Sequence, residues 1–536
     1  MALIASAVFL GLSLLRLPRR LVAAAAIGLL LGFALVVGGQ PSVVRATVMG
    51  VLLLLGLLLE RETSLFNSVA LAALVILLWR PGDLWEPGFQ LSFAATLGIL
   101  YLARPWTAFL RERGWPPWLA ASVAVSLGAQ LAVLPIMLVH FNQLSLIGIC
   151  ANLVVVPLAA VATTLGLAAL LLTLLHESLG HLLFQSLWLV LLALRAAVWM
   201  FAALPAAMIH LPAPHPAAAV SFYAALALLP LWKSHLALRC GAAVLSALVL
   251  AATLWPWVRP PDGRLRVTFL DVGQGDAAFV ELPDGRRLLV DGGPGGERRF
   301  DVGERVVAPF LWNRAVWSLD AVVMTHADPD HAGGLAAILR RFRVRELWDN
   351  GILDASAADV LRLAGRQGTV RRRLAAGDRI WLGAVPITVL HPPATPLAGS
   401  LRGPASDENN NSLVLRLDWG LASFLLTGDV EQEGEAELLA RRRPLDHRVL
   451  KVAHHGSRYS TTEDFLKAGR PALAVISAGR RNPFNHPTPE VLARLGQAGV
   501  RIYRTDRDGA VLLDTDGAEL RVTRWAPRAT EIWRLD

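Results

Sequence analysis

The chain has 536 residues, of which 54% are hydrophobic, with a mean hydropathy of +0.48 and a net charge of +9. Such a chain is too apolar to be purely soluble and too long for one ordinary domain. Residues 1–258 contain only 12 Lys/Arg and 6 Asp/Glu, whereas residues 259–536 contain 39 and 36. The composition predicts a membrane domain, 1–258, followed by a globular domain, 259–536, and the basic balance does not by itself indicate nucleic-acid binding.

Apolar segments long enough to cross a bilayer recur in the first half. Ten are predicted in chain order: 2–15, 21–39, 43–59, 65–79, 89–103, 118–139, 144–175, 179–201, 217–231 and 240–257. We therefore expect a polytopic α-helical membrane domain of about ten helices. Segment 144–175 is long for one helix and contains Pro157, so two crossings are an alternative.

Lys and Arg are distributed unequally between alternate connections of these segments. One set of connections holds nine of them, and the other holds only Arg45 and Arg80 before the last crossing. Because positively charged connections stay in the cytoplasm, we expect the globular half on the extracytoplasmic face. Counting 144–175 as two crossings would invert this assignment.

Polar side chains interrupt the apolar half at Gln90, Gln130, Asn142 and Asn152. Such groups are costly in lipid and normally face the protein interior or water. For any single one, hydrogen bonding between helices is the more ordinary explanation. Their clustering between 130 and 152, beside two prolines, favours a broken-helix, solvent-lined channel region.

Beyond residue 259, short apolar runs alternate with helical patterns. Strands are predicted at 265–271, 277–282, 286–290, 319–325, 412–418, 421–427, 447–453, 472–477 and 510–514, and helices at 333–342, 431–442, 461–468 and 488–497. This order predicts an α/β domain in which two sheets form a sandwich flanked by helices (αββα). Neither cysteine lies in this half, which excludes a disulfide framework or a cysteine-ligated zinc site there.

The segment His326-Ala-Asp-Pro-Asp-His331 follows a predicted strand and brings four metal-capable side chains to the end of a sheet. On an extended segment His326, Asp328 and Asp330 would point to one side, and His331 would turn toward a second ion. A lone His-x-Asp would be weak evidence, and Asp-Pro-Asp alone could be a turn or a helix N-cap.

Residues of the same kind follow other predicted strands. They are Asp291, Asp429 in a Gly-Asp pair, and His454-His455 in His-His-Gly-Ser. The combination predicts a binuclear metal site that activates water and holds a phosphoryl oxygen, with Asp429 as the bridge between the ions. His486, in Asn-His-Pro-Thr-Pro, has either a turn role or a role on the substrate side.

Several segments together form a recognisable pattern: Asp271-Val-Gly-Gln-Gly-Asp276, Asp291, 326–331, Asn409-Asn-Asn-Ser412, Asp429, His454-His-Gly-Ser457 and, in the apolar half, Glu86-Pro-Gly-Phe-Gln-Leu-Ser-Phe93. Through them, residues 262–536 resemble a metallo-β-lactamase-fold hydrolase. The whole chain resembles the ComEC family of inner-membrane DNA-uptake channels of natural competence.

Two features differ from the wider pattern. Asp328 stands where a His is usual in the hydrolase superfamily, and the run Asn409–Asn411 replaces another His. Carboxylate-rich coordination favours two manganese ions over zinc, with magnesium as a further alternative. Family members usually also carry an N-terminal OB-like domain and further helices, so we expect a short variant or a fragment.

The resemblance implies that one DNA strand crosses the membrane domain while the hydrolase degrades the other strand. The partners implied are DNA, membrane lipid and other uptake proteins. The metal ligands would be His326, Asp328, Asp330, His331, Asp429 and His454. The catalytic groups would be Asp330, His331, Lys451, His455 and Ser457. Further site candidates are Asp276, Asp291, Asn410 and His486.

Within this set, Lys451 and Ser457 would hold the phosphate. The choice of His454 over His455 as ligand stays open, because on a strand the two side chains would face opposite ways. Two other functions remain as alternatives. One is a DNA transporter whose metal-binding half only gates, and the other is a membrane-anchored phosphodiesterase without a channel.

Overall fold

The computed structural model describes residues 18–38, 40–59, 64–228, 240–241, 243–249, 251, 260–296, 300–352, 355–394, 406–441 and 444–535. The chain divides into two compact units, Met1–Pro256 and Trp257–Asp536. The predicted helix at 2–15 lies outside the described residues, and so does part of the predicted helix at 240–257.

The described part of the first unit is mainly helical. Its helices are α1 Arg19–Val36, α2 Pro41–Leu58, α3 Leu65–Trp79, α4 Pro87–Gly98, α5 Arg104–Glu112, α6 Pro117–Phe141, α7 Gly148–Leu175, α8 Glu177–Ala202 and α9 Pro216–Leu228. Four helical stretches are long and apolar enough to cross a membrane: Pro87–Glu112, Pro117–Phe141, Gly148–Leu175 and Glu177–Ala202. The segment predicted at 144–175 is one helix with Pro157 inside it.

An irregular turn separates α6 from α7. Asn142 ends α6 in the left-handed conformation, with φ 55°, and its Nδ2 donates to the carbonyl of Leu211 at 2.9 Å. Two short strands, β1 Gln143–Leu144 and β2 Ile209–His210, then pair antiparallel. Non-helical backbone in a membrane domain requires protein partners of this kind, because lipid offers no hydrogen bonds.

The second unit is built on two sheets. Its strands are β3 Leu265–Phe269, β4 Ala278–Glu281, β5 Arg287–Val290, β6 Ser318–Met324, β7 Arg343–Asp349, β8 Val370–Arg373, β9 Arg379–Leu382, β10 Val385–His391, β11 Val414–Trp419, β12 Ala422–Leu426, β13 Val449–Lys451, β14 Leu473–Ile476, β15 Arg501–Arg504, β16 Val511–Thr515, β17 Glu519–Trp525 and β18 Arg528–Arg534. One sheet has the order β18-β17-β16-β3-β4-β5-β6-β7-β8, and the other has the order β15-β14-β13-β12-β11-β10-β9.

Helices flank both sheets. They are α10 Ala308–Asn313, α11 Pro329–Ala332, α12 Leu335–Arg341, α13 Ala355–Gln367, α14 Ser406–Asn409, α15 Gln432–Ala440, α16 Glu463–Gly469, α17 Pro489–Gln497 and α18 Thr505–Asp508. The sequence patterns at 333–342, 431–442, 461–468 and 488–497 correspond to α12, α15, α16 and α17.

Side-chain alternation along the strands buries apolar residues on both faces of each sheet. In β5, Leu288 and Val290 join the core between the sheets, whereas Leu289 joins the core against one helix layer. In β12, Phe424 joins the central core and Leu425 packs toward the other helix layer. The second unit is therefore an αββα sandwich, and the predicted fold class is confirmed.

His447 is a buried histidine in the layer of helices beside β13. Its ring packs near Phe465, and its Nδ1 donates to the carbonyl of Leu445. Burial lowers the pKa of His447 from 6.5 to about 4. The unfolded chain therefore takes up a proton at a higher pH than the folded chain does.

We expect the free energy of unfolding of the second unit to fall by up to about 3 kcal/mol as the pH drops from about 6.5 to about 4. Amide hydrogen exchange in β13 of the full chain, measured across this pH range, checks the expectation. His447→Asn should reduce the pH dependence, because it removes one of the buried groups that titrate in this range. An unchanged pH dependence in this variant would contradict the assignment.

Candidate metal centre

Polar side chains follow the carboxyl ends of neighbouring strands in both sheets. β5 and β6 are parallel, and so are β12 and β13. Asp291 directly follows β5, and His326 comes two residues after the end of β6. Asp429 comes three residues after the end of β12, and His455 comes four residues after the end of β13. The ends of these parallel strands thus bring the side chains to one edge of the sandwich.

Asp276, His331, Asp429 and His455 form a buried cluster at this edge. Each offers one ligand atom, and these atoms all lie within 4.8 Å of one another. Oδ2 of Asp429 is 3.1 Å from Nε2 of His331 and 3.3 Å from Nε2 of His455. Oδ2 of Asp330 approaches the same His455 nitrogen at 3.3 Å. The carboxylates and imidazoles thus converge on one small volume.

A tight glycine turn places Asp276 in this cluster. Gly275 has φ 140°, and a Cβ at this position would collide with the carbonyl oxygen of Asp330. The backbone amide of Asp276 donates to the same carbonyl at 3.1 Å. From the sequence, Asp276 was only a further site candidate. Two glycines within four residues, directly after a strand, were the signal for its position.

Three buried histidines each have one ring nitrogen held by the protein. Nδ1 of His331 donates to Asp291 at 2.8 Å, and Nδ1 of His455 donates to the carbonyl of Ser477 at 3.0 Å. Nδ1 of His326 lies 3.0 Å from a neighbouring hydroxyl. Nε2 of all three is buried without a hydrogen bond. Metal-binding histidines are typically held in this way, so the donor set fits a divalent metal ion.

The charged groups of the cluster shift one another's pKa. Burial opposes protonation of His331, but Asp429 and Asp291 outweigh it and raise the pKa of His331 well above its ordinary value. Burial alone would raise the pKa of Asp429, yet His331 and His455 hold it well below its usual range. The pKa of Asp330 is likewise lowered against burial, by His455 and then His331. The buried carboxylates of the cluster therefore favour a positive charge between them.

The remaining predicted ligands of the 326–331 segment lie beside this cluster. The ring centroid of His326 is 4.2 Å from that of His331. Nε2 of His326 is 3.7 Å from Oδ2 of Asp328. Burial opposes ionisation of Asp328, but His326 lowers its pKa below the usual value. The structure thus brings all four residues predicted from this segment to one place.

The two neighbouring histidines differ from the preferred sequence assignment. His455, and not His454, enters the cluster. Both have positive φ, 48° at His454 and 54° at His455, so the chain makes a left-handed turn after β13 instead of continuing as a strand. Nδ1 of His454 lies 2.8 Å from Glu431, which was not a sequence candidate. Side chains alternate between the two faces of a strand, but His454 and His455 lie in a turn, so this rule does not decide which of them enters the cluster.

Lys451 also differs from its expected role. Its side chain is only 5% exposed, and its ammonium contacts Asp276 and lies 3.4 Å from Asp429. It also donates to the carbonyl of Gly428 at 3.0 Å. Because Val449 joins the central core, alternation along β13 directs Lys451 inward as well. The ammonium therefore neutralises carboxylates of the cluster and is not available to hold a substrate phosphate.

The other sequence candidates have different surroundings. Ser457 is buried, and its Oγ accepts from a backbone amide two residues further on. Oδ1 of Asn410 accepts from two backbone amides at the start of α15. The ring centroid of His486 is 5.5 Å from that of His454, and burial lowers the pKa of His486 to about 4. The ring of His486 therefore adjoins His454, a neighbour of the cluster.

Two protein families match the chain. Residues 1–236 match the family described as competence protein, and residues 270–480 match the metallo-β-lactamase superfamily. The second range contains the whole cluster, from Asp276 to His455. The superfamily match agrees with the αββα sandwich and with the position of the cluster at the strand ends.

Several curated proteins are similar over most of the chain. ComE operon protein 3 of Bacillus subtilis is 32% identical over 89% of this chain and 62% of that protein. Competence protein ComA of Neisseria gonorrhoeae is 30% identical over 82% of this chain and 57% of its own length. YcaI of Escherichia coli is 28% identical, covering 94% and 63% respectively.

The chain spans about three fifths of the length of these relatives. The competence-protein match lies in the apolar half of the sequence, and the metallo-β-lactamase match lies in the globular half. The chain therefore contains a competence-protein domain followed by a metallo-β-lactamase-superfamily domain, and it is similar over most of its length to ComE operon protein 3 and to ComA.

Proposed function

We propose that this chain passes single-stranded DNA across the bacterial inner membrane and degrades the other strand at its metal centre. The first unit would form the channel, and the hydrolase would lie on the extracytoplasmic side. One observation carries the enzymatic part: three buried histidines direct Nε2 atoms that make no hydrogen bond toward carboxylate oxygens less than 4 Å away, at the edge of an αββα sandwich. The competence-protein match supports the transport part.

Two divalent ions would be held by the cluster and the group beside it. The donors are three imidazoles and four carboxylates, namely His326, His331, His455, Asp276, Asp328, Asp330 and Asp429. Because carboxylates predominate, manganese is favoured, with magnesium or zinc as alternatives. Ions bound there would activate water and stabilise negative charge on a phosphodiester oxygen.

The protein's own side chains orient the donors and set the charge around them. Asp291 accepts from His331 Nδ1 and from both the amide and the hydroxyl of Thr325, which fixes the ring of His331. Burial opposes protonation of His454, but Glu431 raises its pKa above the ordinary value. The His454 side chain is 24% exposed, so its imidazole is accessible beside the cluster and can donate a hydrogen bond to a substrate phosphate.

Polar side chains of the first unit support a path for DNA near the interruption between α6 and α7. Gln130, Ser145 and Asn152 are among the residues that line a cavity of about 270 Å³. Nε2 of Gln130 donates to the carbonyl of Ser145, and Oε1 of Gln90 lies 2.9 Å from Nε2 of a histidine on α6. Such groups normally face the protein interior or water in membrane proteins, which fits a polar passage.

The nuclease proposal is tested with the purified full chain in detergent. With manganese, a labelled single-stranded oligonucleotide should be cut with many turnovers per protein, and chelation with EDTA should stop cleavage until manganese is restored. Stoichiometric metal without cleavage of DNA or of bis(p-nitrophenyl) phosphate would overturn the proposal and favour the gating alternative. Zinc and magnesium, added in parallel, identify the preferred ion.

The transport proposal is tested separately, by uptake of labelled DNA into cells that depend on this chain. Entry of the label into a nuclease-protected pool is expected. Cleavage by the purified chain without any uptake would favour the alternative of a membrane-anchored phosphodiesterase without a channel.

A further inference from the structure

Arg45 is a buried charge without a counter-ion among the residues that the structure describes. It lies in the second turn of α2, and the residue is 6% exposed. Among the described residues of the first unit, it is the one charged side chain that is buried. Its Nε has no hydrogen-bond partner, and within the described ranges no carboxylate lies at ion-pair distance from its guanidinium. An ionised side chain in a membrane domain is unfavourable unless it serves a ligand or a partner.

A cavity surrounds this side chain. Its volume is about 490 Å³, and it lies among residues of α1, α2, α3 and α4. Hydroxyl groups of Ser42, Ser68 and Ser92 share the lining with Leu and Met side chains. The volume is in the range of binding sites for small ligands. The cavity is thus amphipathic, and Arg45 is its single cation.

Gly88 makes room for the guanidinium. A Cβ at this position would lie 2.6 Å from Nη2 of Arg45 and 3.4 Å from Cζ. Gly88 belongs to the segment Glu86–Phe93, one of the segments that carries the family resemblance. Its missing side chain therefore has a specific consequence, because any larger residue would require the guanidinium of Arg45, the flexible end of that side chain, to shift.

We infer that Arg45 binds a backbone phosphate of the DNA strand that crosses the first unit; this inference rests on the proposed transport function. A strand in transit must offset its negative charge where water is scarce, and an Arg fork suits a phosphate. The DNA strand must also be released as it passes, so each contact with it must be weak. One isolated cation meets this condition better than a cluster of cations would. Lipid headgroups, by contrast, are typically held by several basic residues.

The experiment compares full-chain variants in the DNA-uptake assay. Arg45→Gln removes the charge, Arg45→Lys keeps it, and Gly88→Ala leaves Arg45 in place but displaces its guanidinium. Arg80→Gln is the matched control, because the Arg80 side chain is 63% exposed and lies 3.6 Å from Asp83. Each variant is also purified, and its cleavage of single-stranded DNA and its bound phospholipid are measured.

We expect Arg45→Gln and Gly88→Ala to lower uptake about tenfold or more, with cleavage unchanged, because a charged hydrogen bond is lost. Arg45→Lys should retain a large part of uptake, and Arg80→Gln should match the wild type. If Arg45→Gln does not accumulate in the membrane, Gly88→Ala decides. Normal uptake by Arg45→Gln or Gly88→Ala would overturn the inference, and so would loss of bound phospholipid with normal uptake. Absence of uptake by the wild-type chain would instead remove the transport proposal and this inference with it.

Discussion

Replacement of Asp429 by Asn is expected to remove metal from the full chain and to reduce DNA cleavage by about 10³-fold or more, since bound ions contribute several kcal/mol to such reactions. Asp429 lies 3.1 Å from His331 Nε2 and 3.3 Å from His455 Nε2, so it is central to the cluster. Asn keeps the shape of the side chain but removes its negative charge. Metal content and the rate of oligonucleotide cleavage are the two measurements.

A matched control is Asp464→Asn, because this aspartate is exposed on α16 and its side chain is 82% accessible. It should bind metal and cleave DNA as the wild type does. If Asp429→Asn retains both full metal content and a rate close to that of the wild type, the cluster is not the metal centre. Loss of cleavage with full metal content would instead limit Asp429 to a role in the reaction itself.

Much of this centre could be predicted because its residues follow strands with strong apolar patterns. The segment His326–His331 and Asp429 come two and three residues after the ends of β6 and β12, which are apolar runs in the sequence. Asp276 was a candidate through the segment Asp271-Val-Gly-Gln-Gly-Asp276, one of those that carry the family resemblance. In each case local sequence determines both the end of the strand and the chemistry of the residue that follows it.

The parts that were not predicted depend on long-range packing. The sequence gives no sign that His454 and His455 both adopt left-handed backbone angles, and this turn decides which of them enters the cluster. Seven strands of the second unit were not predicted, namely β7, β8, β9, β10, β15, β17 and β18. Of these, β8 and β9, Val-Arg-Arg-Arg and Arg-Ile-Trp-Leu, carry little apolar alternation and lie at sheet edges. Charged residues are common on edge strands, where they discourage further pairing.

Replacement of Lys451 by Met is expected to destabilise the metal-free protein by about 3–5 kcal/mol, because it leaves buried carboxylates without their cation. Burial opposes protonation of Lys451, but Asp276 and Asp429 outweigh it and raise its pKa, so the ammonium stays charged. A divalent ion in the cluster would supply positive charge at the same carboxylates. Manganese should therefore raise the melting temperature of Lys451→Met by more than it raises that of the wild type.

Thermal unfolding of the full chain in detergent, with EDTA or with manganese, tests this compensation. Lys467→Met is the matched control, because its side chain is 70% exposed and lies 3.6 Å from Glu463; its loss should cost no more than about 1 kcal/mol. Equal stability of Lys451→Met and the wild type in EDTA would show that the carboxylates do not need the ammonium. Equal loss with and without manganese would show that the metal and Lys451 act on different charges. The expected result, a loss in EDTA that manganese largely restores, would identify Lys451 as the internal cation that keeps the carboxylates in place until metal binds.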